Sequence, residues 1–156
     1  MDAALKLYQS TIVAASAIII MNVIGSYVSA IGAGLACPDW PLCPFPESFP
    51  VLMEFLHRVW GLVVVATIAI SVLRARGIGD VGGFRAAKLL VYTSLLIVLI
   101  QVALGAIVIF TTLRPEFVAL HQLLAQVTLS LQVAAAGITW STAPRRIEAE
   151  KTSVKS

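Results

Sequence analysis

The chain carries two histidines, His57 and His121, and each stands within about two turns of the start of a long apolar segment. Imidazole is the commonest metal ligand among side chains, and ionisable groups inside a bilayer are costly enough to be functional candidates by default. Around the first histidine runs Glu54-Phe55-Leu56-His57-Arg58-Val59-Trp60-Gly61. On a helix, Glu54 and His57 share a face and Glu54 and Arg58 can form an ion pair. The second histidine opens His121-Gln122-Leu123-Leu124-Ala125, so Ala125 stands to His121 as Gly61 stands to His57, one turn further on. Two imidazoles at one depth, each above a small residue, could hold a metal ion or a flat iron macrocycle between two helices.

A second group of reactive residues precedes them. Cys37 and Cys43 bracket Cys37-Pro38-Asp39-Trp40-Pro41-Leu42-Cys43, and five of the seven prolines fall between Pro38 and Pro50. Proline cannot continue a helix, so this loop is stiff and non-helical. Five residues separate the cysteines, unlike the two typical of zinc or thioredoxin-like pairs. A disulfide stapling so short a loop contributes only about 2–3 kcal/mol. That modest structural gain keeps a redox role for the thiols beside the stapling one.

The elements that must position these groups follow from composition. The 156 residues are 59% hydrophobic and 12% charged, with a mean hydropathy of +0.94; an ordinary soluble domain carries about 25% charged residues. Four segments reach the roughly 20 apolar residues a membrane span requires: 5–31, 51–73, 86–110 and 117–140. The expected fold is an all-α, four-helix transmembrane bundle forming a single domain over 1–144, with a polar, unstructured tail over 145–156. The pI of 9.1 does not indicate nucleic acid, because the cations gather at segment ends. Lys6, Arg74, Arg76, Arg85, Lys88, Arg145, Arg146, Lys151 and Lys155 fall on one side, and Arg114 lies in a loop on the other. The positive-inside rule therefore places both termini in the cytoplasm and the loops 36–50 and 111–116 outside. The first segment reads as a retained helix, since its charged leader is thin and its apolar run exceeds a signal core.

Both histidine-bearing helices then run from outside inwards. At 1.5 Å per residue His57 lies roughly 9 Å and His121 roughly 6 Å below the helix starts, in the outer leaflet beneath the cysteine loop. A lone histidine at such a depth is more often a helix–helix contact than a ligand. A tetrahedral zinc site needs three or four ligands; a bis-histidine heme needs two imidazoles and an apolar slot. In the first span, Gly25, Ser26, Ser29, Ala30, Gly32, Ala33 and Gly34 form an unusually small-residue end. Gln101 and Gly105 mark the third span and Gln122, Gln126 and Gln132 the fourth. Helix–helix hydrogen bonding suits all these glutamines, with Gln101 the one retained as a candidate at the cofactor.

Ile31-Gly32-Ala33-Gly34-Leu35-Ala36-Cys37-Pro38-Asp39-Trp40-Pro41-Leu42-Cys43 resembles the first outer loop of the heme A synthase family. Glu54-Phe55-Leu56-His57-Arg58 resembles that family's Glu-x-x-His-Arg motif, and the stretches at Gln101–Ala106 and His121–Ala125 resemble its third and fourth helices. The resemblance covers roughly Ile20 to Gln126. It departs at Ala30-Ile31, where the family more often has hydroxyl residues, and it matches one four-helix half where longer members carry two.

The resemblance implies oxidation of the C8 methyl of heme O to the formyl of heme A, for terminal cytochrome oxidases. His57 and His121 would be axial ligands of a heme iron, with Arg58, Gly61, Ala125 and Gln101 around the cofactor. Glu54, Cys37 and Cys43 would act in catalysis. A resident heme b, a homo-oligomer (a dimer, with a trimer as runner-up), a heme O synthase partner, an electron acceptor and a location in the prokaryotic cytoplasmic membrane are further expectations. The competing readings are a non-enzymatic bis-histidine b-type cytochrome and a heme-handling assembly protein of the oxidase.

Overall fold

The computed structural model describes residues 3–43, 45–80 and 82–153, with the backbone alone from residue 144 onwards. Four helices follow in chain order: α1 Ala3–Ala30, α2 Phe49–Arg76, α3 Gly83–Phe110 and α4 Pro115–Ser153. All four are long and apolar enough to cross a membrane, α4 over Pro115–Ala143. A helix of 28 residues extends about 42 Å, more than the ~30 Å hydrocarbon layer. The expected spans fall inside these helices to within one residue. Beyond residue 144, where the sequence suggests an unstructured tail, the α4 backbone runs on to Ser153; Arg, Glu, Ala and Lys are good helix formers. Residues 154–156 lie outside the described residues.

Each helix packs on its chain neighbours and α4 closes against α1, which makes a square. The two histidine helices, α2 and α4, therefore stand on one diagonal and run in the same direction. The helices are apolar on every side, so hydrophobicity does not separate their faces. Size and polarity do. Thr11, Ser71, Ser94, Thr128, Gln132 and Thr139 are buried among Ala14, Ala15, Ala135 and Ala136, whereas Val23, Leu62, Leu89 and Leu96 lie on the outside. Lipid solvates large aliphatic side chains as well as a protein core does, so small residues and internal hydrogen bonds decide what faces inward. Thr128 and Thr139 donate to carbonyls one turn back, at 2.8 and 2.7 Å. Gln132 donates to Ser94 Oγ at 2.6 Å and ties α4 to α3, the helix–helix role its sequence context suggests.

The two hairpins, α1–α2 and α3–α4, end their first helix alike. Ala33 N–H donates to the Val28 carbonyl at 2.9 Å and Gly32 N–H to that of Ser29 at 3.2 Å, with Gly32 at φ +68°. At the end of α3, Leu113 N–H donates to Val108 at 2.9 Å and Thr112 N–H to Ile109 at 3.0 Å. Both are Schellman caps, which require a left-handed residue just past the helix. In α3 that residue is Thr112 at φ 51°, followed by Leu113 at φ 60°.

Candidate functional site

His57 lies eight residues past the start of α2 and His121 six past the start of α4. Their depths are therefore about 12 and 9 Å along parallel helices, and the two imidazoles are close enough to interact electrostatically. Nδ1 of each ring is buried with no hydrogen-bond partner. A buried polar atom without a partner costs about 1–3 kcal/mol, and two such rings at one level suit a ligand that engages imidazole.

Both rings rest on glycine. A Cβ on Gly25 of α1 would stand 2.9 Å from His57 Cε1 and 3.3 Å from its Nδ1, closer than a side chain can come. A Cβ on Gly105 of α3 would stand 3.5 Å from His121 Cε1, in ordinary contact. His57 thus occupies the space left by a missing side chain on the preceding helix of its hairpin, while His121 only touches the corresponding position. In the sequence Gly25 appears only as a member of a small-residue stretch, and Gly105 only as the small position of the third span. Their position five residues before the end of α1 and of α3 is the signal that pairs them.

The other residues singled out in the sequence divide into two groups. Gln101, half-buried on α3, lies with its backbone beside His121. Ala125 is half-buried one turn from His121. Gly61 turns towards α1, where a Cβ would stand 3.6 Å from Met21 Cε. Glu54, Arg58, Cys37 and Cys43 form a second, contiguous cluster under the outer loop.

In that cluster Glu54 is 3% exposed, and both carboxylate oxygens have partners. Oε2 accepts from the Cys37 N–H at 2.7 Å, and Oε1 accepts from Arg58 Nη2 at 2.5 Å. Arg58 Nη2 also donates to the Cys37 carbonyl at 2.8 Å, while Nη1 donates to the carbonyls of Leu42, at 2.7 Å, and of Asp39. The Cys37 and Cys43 Cα atoms are 5.1 Å apart and their sulfurs meet, a separation within the range a disulfide needs. Among the described residues no three His, Cys, Asp or Glu side chains converge as a metal site. A zinc site built from the histidine pair and Glu54 therefore has no geometric support among the described residues.

Sequence comparison identifies the relatives. The chain is 36% identical to the heme A synthase of Bacillus pumilus (strain SAFR-032) over 103 residues, which cover 62% of the chain and 33% of the relative. It is 34% identical to the heme A synthase of Geobacillus thermodenitrificans over 97 residues, or 58% of the chain and 29% of the relative. With the heme A synthase of Macrococcus caseolyticus (strain JCSC5402) the identity is 28% over 123 residues, 76% of the chain and 40% of the relative. No family model matches the chain, and no solved structure matches it significantly. The chain is a sequence relative of the heme A synthases, and it spans 29–40% of the length of these curated relatives.

Proposed function

We propose that the protein is a membrane oxidoreductase of the heme A synthase type, acting on the C8 methyl of heme O. The observation that carries this reading is the pair of half-buried imidazoles at one level, each against a glycine, in a relative of heme A synthases. Two imidazoles level on parallel helices fit a flat iron macrocycle, which His57 and His121 would hold between α2 and α4. A bound heme would supply one-electron chemistry at its iron. The chain's own residues would hold the imidazoles level on two parallel apolar helices and place the Glu54 carboxylate one turn towards the loop. Conversion of methyl to formyl is a four-electron oxidation; isotope labelling of the formyl oxygen distinguishes molecular oxygen as its source from water, and the water route passes all four electrons to a separate electron acceptor.

On this reading both termini are cytoplasmic, the membrane is the prokaryotic cytoplasmic membrane, and Cys37 and Cys43 form a disulfide on the oxidising side. Copies of the chain associate, as a dimer or alternatively a trimer, so that a resident heme b and the substrate occupy equivalent sites in different subunits. A single-copy mass in native lipid rules out that arrangement. The deciding experiment expresses the chain in a host that makes heme O and lacks heme A. Heme A in the extracted pigment is the expected result; its absence, with the protein present and heme bound, removes the enzyme reading.

One observation favours a second reading, a bis-histidine cytochrome without turnover: both Glu54 oxygens are committed to Cys37 and Arg58. Glu54→Gln distinguishes the two. An enzyme loses conversion while keeping bound heme; a cytochrome keeps its heme spectrum and reduction behaviour.

A further inference from the structure

We propose that Arg58 is a positioning residue: its guanidinium organises the cysteine loop and thereby sets how readily the Cys37–Cys43 pair is reduced. The inference rests on the disulfide reading above. Prolines at 38 and 41 deny the loop a helix, so its carbonyls must find donors elsewhere. Arg58 provides them. Its two terminal nitrogens reach the carbonyls of Cys37, Asp39 and Leu42, with that of Pro41 at the margin, 3.5 Å. The cation is hydrogen-bonded to three carbonyls of the ring that the two cysteines close. A planar fork reaches several acceptors at once, which a lysine ammonium on a single stem does not.

The clamp acts most strongly on Cys37. Its carbonyl accepts from Arg58, its N–H donates to Glu54, and Glu54 in turn pairs with Arg58. Cys37 is fully buried, whereas Cys43 is half-buried. In thiol–disulfide exchange an external dithiol must therefore attack Cys43 Sγ. The bond to Cys37 breaks, Cys37 leaves as a thiolate and takes up a proton, and the second thiol of the reductant resolves the mixed disulfide, leaving the reductant oxidised and both cysteines reduced. Loss of the guanidinium frees the loop, exposes Cys37 Sγ and shifts the equilibrium towards the dithiol.

The test equilibrates full-length protein with dithiothreitol redox buffers and counts thiols by alkylation and mass. Arg58→Gln should reach half-reduction at a dithiol-to-disulfide ratio at least tenfold lower than the unmodified chain, with Arg58→Lys between them and helix content unchanged. An identical midpoint in Arg58→Gln overturns the proposal. If that variant does not fold, the unmodified chain decides: after partial reduction Cys43 should be alkylated at least tenfold faster than Cys37, and equal rates overturn the clamp. Two free thiols before any reductant would instead remove the disulfide reading, while the labelling preference still reports on the clamp.

Discussion

In the hairpin α1–α2, Gly25 seats His57 and the first helix ends on Gly32; in the hairpin α3–α4, Gly105 seats His121 and the first helix ends on Thr112. The glycine seat, the cap and the imidazole recur at matching positions. The link between the helices differs. Residues 31–48 in the first hairpin carry both cysteines and fold over Glu54 and Arg58, whereas residues 111–114 in the second make a tight connection. Each hairpin thus contributes one imidazole, and the buried Glu54, Arg58 and the cysteine pair belong to one of them. A two-sided grip on a flat cofactor needs equivalence; a reaction at one edge of it needs asymmetry.

The largest expected effect tests the equivalence directly. His57→Ala and His121→Ala should each abolish heme binding, read as loss of the heme absorption band in purified protein. A variant that keeps a full complement of heme would break the equivalence.

The glycine seats should then separate the hairpins. Gly25→Ala places a methyl group against a ring with no room for it and should cost about 1–3 kcal/mol, the usual range for overpacking, with a changed heme spectrum. Gly105→Ala meets ordinary contact distance, so alanine's higher helix propensity should stabilise it by up to about 1 kcal/mol. Thermal unfolding of the two variants in one detergent checks the order; equal losses would refute the difference in seat geometry.

The caps predict opposite signs. Gly32→Ala forces a side chain into the left-handed region and should lose about 1 kcal/mol, while Thr112→Gly should gain a similar amount. Denaturant midpoints measure both.

The smallest effect lies in the connector between the hairpins. Lys88 donates to Asp80 Oδ1 at 2.7 Å, and this hydrogen bond, with the lysine's charge, holds the Asp80 carboxyl below its ordinary range. The stabilisation is complete above the usual carboxylate pKa and is lost as pH falls through the lowered value. Because Asp80 is fully exposed the change is small. Asp80→Asn should flatten the acid limb of stability slightly and leave heme binding unchanged.

The sequence made the His57 and His121 pair legible, because both histidines interrupt apolar runs and helix rise converts position into depth. Glu54 was legible as a site residue but not in its orientation. Spacing of three to His57 and four to Arg58 allows either partnership, and the Cys37 amide that donates to Glu54 lies 17 residues away along the chain. Gly25 was hidden among other small residues, and Gly105, though visible as the small position of the third span, carried no sign of its contact with His121.

By itself, then, the sequence determined four spans, a proline-stiffened cysteine loop and two imidazoles at one level. These follow from apolar length, fixed φ and helix rise, which are local properties. Only the tertiary structure decided that Gly25 and Gly105 seat the rings while Gly61 meets Met21, and that Arg58 gathers the loop carbonyls. Those contacts depend on how each helix is rotated about its axis. Helices that are apolar all round do not encode that rotation in their hydrophobic pattern; packing of small residues and satisfaction of buried polar groups set it.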